Sequence, residues 1–217
     1  MTALEKTERT RIRRLHERGR YDLETAHAIL DAGWLCHIAY VVDGTPYCTP
    51  TLYWREGERV YWHGSSASKM LRAQKSGENE VCLTVSHVDA LVLARSGFHS
   101  SARYRSLMLL GKPRIVEDAG EKDELLGRFI DGLWPGRNAD LRPATAQELK
   151  ATTLLWMEIG EGAAKISEGP PGDDEEDYAL PVWAGLQPVR MVYGEPVPCP
   201  RLRPDTPLPD YLRQSSE

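Results

Sequence analysis

A short turn in the first third of the chain concentrates side chains that bind anions. The stretch VYWHGSSASKM, residues 60–70, runs from an apolar segment through a glycine into three serines and a lysine. The hydroxyl groups of Ser65, Ser66 and Ser68 can donate hydrogen bonds to phosphate oxygens, and Lys69 adds a positive charge. The spacing matches neither the P-loop nor the dinucleotide-binding fingerprint. Two interpretations stay open: a phosphate site, or a serine-rich turn that only caps the next helix.

His63 lies directly before this turn and is the candidate for acid–base chemistry. An imidazole has an ordinary pKa of about 6.5, so it can orient a substrate or supply a proton near neutral pH. The alternative is a structural role, in which the ring only hydrogen-bonds a backbone group or part of a cofactor. Both interpretations of His63 stay open on the sequence.

The elements that position these residues are mostly strands. WLCHIAYVV and PYCTPTLYW are joined at Asp43 and Gly44, which tolerate the positive φ of a tight hairpin. Further strands are predicted in RVYWHG, EVCLTV, DALVLA, LLWMEI and AAKISE, and DALVLA can equally continue EVCLTV. RSLMLLGKPRIVED is expected to form one long strand that bends at Gly111 and Pro113. Six or seven antiparallel strands predict a mainly β fold, a small β-barrel with peripheral helices.

Helices are predicted on both sides of these strands. One begins after Asp22, which can accept hydrogen bonds from first-turn amides, and ends at Gly33. Its apolar residues form a single stripe: Leu23, Ala26, Ile29 and Leu30. SKMLRAQ and residues 119–134 also have helical spacing, and Thr145 with Glu148 forms a capping box.

Composition excludes several classes of function. The chain has 217 residues and a formal net charge of −5, which argues against a general nucleic-acid binder. No apolar run approaches the roughly 20 residues that span a bilayer, and no signal peptide is recognisable, so we expect a cytoplasmic protein without a membrane segment. The four cysteines are scattered and show no zinc-binding spacing, and no metal site is predicted.

Three segments are predicted along the chain. Residues 1–20 form a basic arm, expected to be solvated or to cross to another subunit. Residues 21–168 form the barrel. Residues 169–217 form an acidic, proline-rich tail, in which segment 180–190 is expected to dock on the barrel because its apolar side chains are costly to leave in water: Trp183, Leu186 and Val189.

Several longer stretches together resemble one known family. TPTLYW, VYWHGSSASKM, VDALVLARSGFHSSARYRSLMLLGKPRIVED and the later WAG resemble FMN-binding split-barrel proteins related to pyridoxamine 5′-phosphate oxidase. The resemblance is to the branch that contains nitroimidazole-resistance reductases, and it covers most of residues 9–190.

This resemblance implies an FMN cofactor at the interface of a homodimer. The turn formed by Gly64, Ser65, Ser68 and Lys69 would hold the 5′-phosphate. The implied contacts to the rest of the flavin are these: Thr49, Pro50, Thr51 and Leu52 beneath the isoalloxazine ring, His63 close to the flavin, and Ser106 at its polar rim. The homodimer is also expected because one small barrel cannot cover apolar strand residues such as Trp54, Leu107 and Leu109.

The implied activity is flavin-mediated electron or hydride transfer from a reduced nicotinamide to a small nitroaromatic or quinone-like acceptor. A second class is a non-catalytic protein of the same fold that stores or senses flavin, or binds haem through a histidine. Vitamin B6 oxidation is not expected, because the tail lacks the arginines and aromatic ending typical of true pyridoxamine 5′-phosphate oxidases. Ser167 also stands where close relatives are expected to carry arginine.

Other side chains have two interpretations each. Trp62 and Tyr61 can stack on a ring or pack in the core, and alternation along a strand favours the core for one of them. Arg95 and Arg105 can steer an anionic substrate or pair with acids such as Asp89.

Overall fold

The computed structural model describes residues 2–213. They divide into two units. The first holds the described residues up to Val116 together with Lys150–Val189, and the second holds Glu117–Leu149 together with the described residues from Arg190 onward. This division differs from the three predicted segments, because the arm belongs to the same unit as the barrel and the tail is shared between the units. No helix in the described part of the chain is long and apolar enough to cross a membrane.

The first unit is a mainly β split barrel in which every pair of neighbouring strands is antiparallel. The long strands are β2 Leu35–Val42, β3 Thr45–Glu56, β4 Arg59–Ser65, β5 Val81–Leu93, β6 Ser101–Gly111, β8 Thr152–Glu158 and β9 Glu161–Ser167. The short strands are β1 Gly19–Arg20, β7 Arg114–Ile115 and β10 Gly185–Pro188. The order across the sheet is β1-β9-β6-β5-β2-β3-β4-β8-β7, with β10 beside β5. The seven long strands confirm the predicted mainly β class.

Local signals placed the first helix and the first hairpin correctly. Helix α1, Leu23–Asp31, begins where the Asp22 carboxylate accepts a hydrogen bond from the Thr25 amide at 2.7 Å. The predicted apolar stripe is buried: Leu23, Ala26, Ile29 and Leu30. Asp43 and Gly44 both have positive φ, as a tight turn between β2 and β3 requires.

The stretch from Val81 to Ile115 differs in detail from its prediction. EVCLTV and DALVLA form the single strand β5, which carries a register shift between Val88 and Ala90. The predicted long bent strand is instead two strands: β6 pairs with β5 and β9, whereas β7 pairs with β8. Pro113 lies between them, and because proline has no N–H it ends the ladder there.

The barrel core shows where Trp62 and Tyr61 pack and whether Leu107 and Leu109 are exposed. Trp62 is fully buried and its indole N–H donates to Gln74 Oε1 at 3.1 Å, so it packs in the core. Tyr61 is also buried, on the opposite face of β4. Leu107 and Leu109 lie in the core, so the expectation that one barrel leaves them uncovered is wrong. Alternation along β6 points both side chains inward.

Other apolar side chains do remain uncovered, on the outward face of β3, β2 and β5. This outer face is defined by Leu35, Val41, Leu52 and Val88. Val41 is 54% exposed and Val88 is 50% exposed. The three strands are neighbours in the sheet, and strand alternation directs all four side chains to the same side.

The basic arm is largely exposed to solvent, as predicted, but it is also anchored on its own barrel at a few residues. Leu4 and Thr10 are buried. The Arg9 guanidinium contacts Glu80 and Glu161, and these hydrogen bonds raise its pKa above the ordinary value. Charge pairing with two acidic residues of the barrel therefore holds the arm in place.

Segment 180–190 docks, but not through the side chains expected to be buried. Strand β10 pairs with β5 from Gly185↔Leu93 to Pro188↔Ala90, and the Val189 amide donates to Asp89 O at 3.0 Å. Trp183 is nevertheless 69% exposed, and Leu186 and Val189 are also exposed. The segment is held by backbone hydrogen bonds along a strand edge, which bury little side-chain surface.

The second unit is helical and irregular. Its main element is α3, Ala119–Leu133, which begins where Asp118 accepts from the Glu121 amide. The short helix α4, Ala146–Ala151, begins at the predicted capping box: the Thr145 amide donates to Glu148, and the Glu148 amide donates to Thr145 Oγ1. Hydrogen bonds from Arg142 and Thr145 lower the pKa of Glu148 to about 2.

Candidate functional site

A crevice opens in the first unit where β3 and β4 separate. The two strands pair only from Tyr53↔Trp62 to Glu56↔Arg59. Beyond that point β4 pairs with β8 alone, while Thr45–Leu52 pairs with β2 alone. One edge of Thr49–Leu52 therefore has no strand partner among residues 2–213, and its backbone groups can hydrogen-bond a ligand.

The serine-rich turn follows the end of β4 and is preformed by its own hydrogen bonds. The Ser68 amide donates to Ser65 O at 2.9 Å, the Ala67 amide to Ser65 Oγ at 3.2 Å, and the Ser66 amide to Ala151 O at 2.8 Å. Gly64 permits the close approach of the next helix, since a Cβ there would lie 3.1 Å from Leu71 Cδ1. The turn therefore has a defined shape that does not depend on a ligand.

Helix α2, Lys69–Gln74, starts immediately after the turn. Ser68 is its N-cap, yet its side chain accepts no capping hydrogen bond from the described backbone. In this it differs from Asp22 and Asp118, whose carboxylates do cap their helices. The structure thus does not support the interpretation of Ser68 as a capping residue only, and its hydroxyl can donate to a bound anion.

Lys69 links this turn to β3. Its ammonium group donates to the Tyr47 hydroxyl and lies 3.7 Å from the centre of the Tyr47 ring. Tyr47 in turn stacks on Tyr40 with ring centres 5.6 Å apart. A positive charge is therefore held between the start of α2 and β3. Sequence reasoning missed Tyr47, although alternation places it on the same face of β3 as Thr49 and Thr51.

Strand β3 presents the four predicted residues on two faces. Thr49 and Thr51 lie opposite Ile38 and Cys36 on the inner face, and Thr49 Oγ1 is 3.3 Å from the Tyr40 hydroxyl. Pro50 and Leu52 lie on the outer face. Main-chain N–H and C=O groups of alternate residues point to opposite edges of a strand, and the Tyr53 amide donates to Trp34 O on the β2 side. The unpaired edge therefore carries the main-chain groups of Pro50 and Leu52, while those of Thr49 and Thr51 pair with β2.

His63 lies on β4 with its side chain directed away from the core. Its ring is 6.0 Å from Trp54 in an edge-on arrangement, and Trp54 stacks on Tyr61 at 5.3 Å. Burial lowers the pKa of the His63 imidazole, so the ring is neutral at neutral pH. A neutral imidazole is a weaker proton donor than the catalytic interpretation assumed, and it is the form that binds metals.

Ser106 does not join the crevice within one chain. It lies on β6, and strands β5 and β2 separate β6 from β3. Its hydroxyl donates to Lys165 O at 3.4 Å. The structure therefore brings together the predicted residues from β3, the end of β4 and the turn, and leaves Ser106 apart.

Two of the three arginines in and after the ARSGFHSS segment pair with acids of this chain. Arg105 makes a bidentate contact with Asp89, the closest distance being 2.8 Å. Arg95 donates to Asp173, whose side chain is fully buried. Arg103 donates to Ser167 Oγ and to the carbonyls of Gly169 and Pro170. Pairing is confirmed for Arg95 and Arg105, and substrate steering by either residue stays a prediction.

Comparison with known proteins supports the fold. Residues 22–166 match the family model described as pyridoxamine 5′-phosphate oxidase. A search of curated proteins finds no match. Among solved structures, a flavocytochrome from Azotobacter vinelandii is 46% identical, with 96% of this chain and 97% of that chain covered and a TM-score of 0.91.

Two further solved structures are similar. An FAD- and haem-binding protein from Mycobacterium smegmatis is 36% identical, with 92% of this chain and 97% of that chain covered and a TM-score of 0.87. A putative 5-nitroimidazole antibiotic resistance protein from Bacteroides thetaiotaomicron is 19% identical over 78% of this chain and 88% of that chain, with a TM-score of 0.54, and shares the fold.

Proposed function

The chain belongs to the pyridoxamine 5′-phosphate oxidase family, and from this premise we propose that it is a flavin- and haem-binding electron-transfer protein. The observation that carries the flavin part is the crevice: an unpaired backbone edge at Thr49–Leu52 faces a preformed turn that ends in Lys69. The observation that supports the haem part is the similarity to two solved flavin–haem proteins over more than nine-tenths of the chain.

The residues of the crevice fit a phosphorylated flavin. The hydroxyls of Ser65 and Ser68 and the ammonium group of Lys69 would hold the ribityl 5′-phosphate, where charge-assisted hydrogen bonds are the strong ones. The main chain of Thr49–Leu52 would bind the pyrimidine edge of the ring. Bound there, the flavin supplies hydride or single-electron chemistry, and the protein positions it.

FMN and FAD share the phosphate that this turn would hold. FMN follows from the sequence resemblance, whereas the similar protein from Mycobacterium smegmatis is named for FAD. Ser65, Ser66 and Lys69 are exposed, so solvent lies beyond the proposed phosphate and leaves space for the second half of a dinucleotide. Analysis of the extracted flavin decides between the two.

His63 is the histidine that would hold a haem iron, which a neutral imidazole can bind. His16 is on the solvent-exposed N-terminal arm. His37 is exposed on the outer face of β2. His63 combines burial with an aromatic environment beside the proposed flavin site.

The proposed assembly is a homodimer formed through the outer face. Exposed apolar side chains on three adjacent strands are costly in water and suit a second copy of the same surface. A homodimer also gives Ser106 a route to the flavin, because a partner's Ser106 can approach a crevice that this chain's own Ser106 cannot reach.

The second candidate activity is the reduction of a nitroaromatic or quinone acceptor by a reduced nicotinamide. It is favoured by the ARSGFHSS and YRS motifs, which resemble the nitroimidazole-resistance branch. A screen of NADH and NADPH against both acceptor classes tests it, and failure of every pair would eliminate it.

The central test is the absorption spectrum of the purified protein. We expect flavin bands together with a Soret band, and an extract that contains flavin and haem, each quantified by chromatography. A colourless protein that takes up neither added flavin nor added haem would contradict the proposal. Flavin without haem would eliminate the haem part only.

A further inference from the structure

The second unit contains a cavity of about 590 Å³. It lies where the tail passes the end of α3 and the turn that follows it. Its apolar walls are formed by Trp134 and by tail residues, mainly prolines and leucines: Pro196, Pro198, Leu202, Pro207, Leu208 and Pro209. The volume falls within the range of about 300–1,000 Å³ that small-molecule sites occupy.

One cationic group lines this cavity. Arg137 is half-buried, and its Nη1 donates to the Tyr211 hydroxyl at 2.7 Å. The Tyr211 hydroxyl donates to Asp140 Oδ2 at 3.1 Å, so the phenol separates the carboxylate of Asp140 from the guanidinium. In the described part of the chain, Arg137 therefore has a neutral hydroxyl as its hydrogen-bond partner, and its remaining N–H groups can bind an anion.

The two features together specify a class of ligand. Flat indole and pyrrolidine surfaces suit a planar ring, because such rings bury large apolar area and stack. A half-buried planar guanidinium suits a carboxylate, which it can bind through two parallel hydrogen bonds. We propose that the cavity of the second unit binds a small aromatic carboxylate, with its acid group on Arg137 and its ring against the apolar walls.

This site goes beyond the flavin- and haem-binding function. The residues that line it belong to the second unit, whereas the flavin crevice is built from the first. No histidine of the described residues lines it. Loss of flavin or haem binding in the tests above would therefore leave this proposal standing, and its own failure would leave those intact.

The test compares two probes of equal shape on the purified full chain. We expect calorimetry to show binding of 1-naphthoic acid and binding at least about tenfold weaker for 1-naphthamide, which has no charge to pair with Arg137. Arg137→Gln should weaken naphthoate binding about tenfold or more and leave naphthamide unchanged. Arg201→Gln, a neighbouring tail arginine that does not line the cavity, is the matched control and should bind as the wild type does.

A second measurement does not depend on Arg137. Cys199 is exposed and lines the cavity, so bound naphthoate should slow its alkylation by iodoacetamide, read by peptide mass spectrometry. 1-Naphthamide at the same concentration, which is expected to bind at least about tenfold more weakly, is the control and should protect Cys199 less. Leu202→Trp, which fills the cavity from a half-exposed position, should abolish both the binding and the protection.

Three results would overturn the proposal. Equal affinity for naphthoate and naphthamide would show that no charge is recognised. Equal affinity of the wild type and Arg137→Gln for naphthoate would show that Arg137 does not bind the carboxylate. Absence of Cys199 protection at saturating naphthoate would place the binding elsewhere.

Discussion

At the scale of single residues, Lys69 is the side chain on which the flavin proposal depends most. Its charge lies between the turn and β3, in contact with the Tyr47 hydroxyl and ring. An exposed ammonium group held by a neutral partner keeps its full charge for an incoming anion. The contact with Tyr47 thus orients Lys69 without neutralising it.

We expect Lys69→Ala to weaken FMN or FAD binding by roughly 1.5–3 kcal/mol, about ten- to hundredfold, because a charge-assisted hydrogen bond to phosphate is lost. Riboflavin, which has no phosphate, should bind the variant and the wild type equally. Fluorescence titration of the apoprotein measures all three ligands. Lys75→Ala, at the other end of α2, is the control. Equal losses for riboflavin and FMN would show that Lys69 supports the fold and does not bind phosphate.

His63 belongs to the same scale, and it is tested through haem content. His63→Ala should lose the Soret band while flavin stays bound, because the ligand to iron is removed and the phosphate turn is untouched. His16→Ala is the control: it removes an imidazole that is 83% exposed on the N-terminal arm, and it should keep its haem. Haem retained by His63→Ala would show that His63 does not hold the iron.

At the scale of elements, the acidic part of the tail is held by arginines of the barrel. Asp173 accepts from both the backbone amide and the guanidinium of Arg95, at 2.7 and 3.0 Å. Burial disfavours the charged carboxylate, but these hydrogen bonds outweigh it and lower the pKa of Asp173 below its usual value of 3.8. The acidic run is therefore a docked segment with one buried anchor.

We predict that Asp173→Asn releases this segment. The variant leaves Arg95 without its charged partner, so limited proteolysis should cut residues 170–180 faster than in the wild type. Asp174→Asn changes a neighbouring side chain that is 70% exposed and is the control. The pKa of Asp173 is lower in the folded state than in the unfolded state. The stabilisation that its charge gives is therefore fully present above the unfolded-state pKa and is lost as the pH falls through the folded-state pKa. Equal cleavage of both variants would contradict the anchor role.

At the scale of the whole molecule, the proposed homodimer rests on the outer face. Leu107 and Leu109, which first suggested a dimer, are buried in the core, and the exposed apolar residues are Leu35, Val41, Leu52 and Val88. They lie together on adjacent strands. The expected homodimer is therefore supported by the exposed residues of this outer face and not by Leu107 and Leu109.

We predict a homodimer that Val41→Glu converts to a monomer. A carboxylate at the centre of the outer face meets its own copy in a two-fold interface, and burying such unpaired charges is unfavourable. Sedimentation velocity measures the change. Val197→Glu places the same charge at a position that is 91% exposed in the tail and should stay dimeric. A wild-type monomer fully loaded with flavin would eliminate the proposed interface.

The parts of the fold that follow local rules could be read from the sequence. Asp22 caps its helix, Asp43 and Gly44 form their turn, and Thr145 and Glu148 form their capping box. In each case the interacting groups are at most three residues apart, so residue types alone specify the geometry. The family resemblance extended this to the fold class, whereas the phosphate-binding role of the turn stays a prediction.

The sequence by itself therefore determined most of the strands, the first helix and the serine-rich turn that we propose binds an anion. Only the tertiary structure decided which backbone edge stays unpaired, that Tyr47 meets Lys69, and that Ser106 lies apart from the crevice. It also decided that Arg9 ties the arm to the barrel and that Trp183 stays exposed. The physical reason is distance along the chain: these contacts join residues far apart in sequence, and strand order and register, which local residue types do not encode, bring them together or keep them apart.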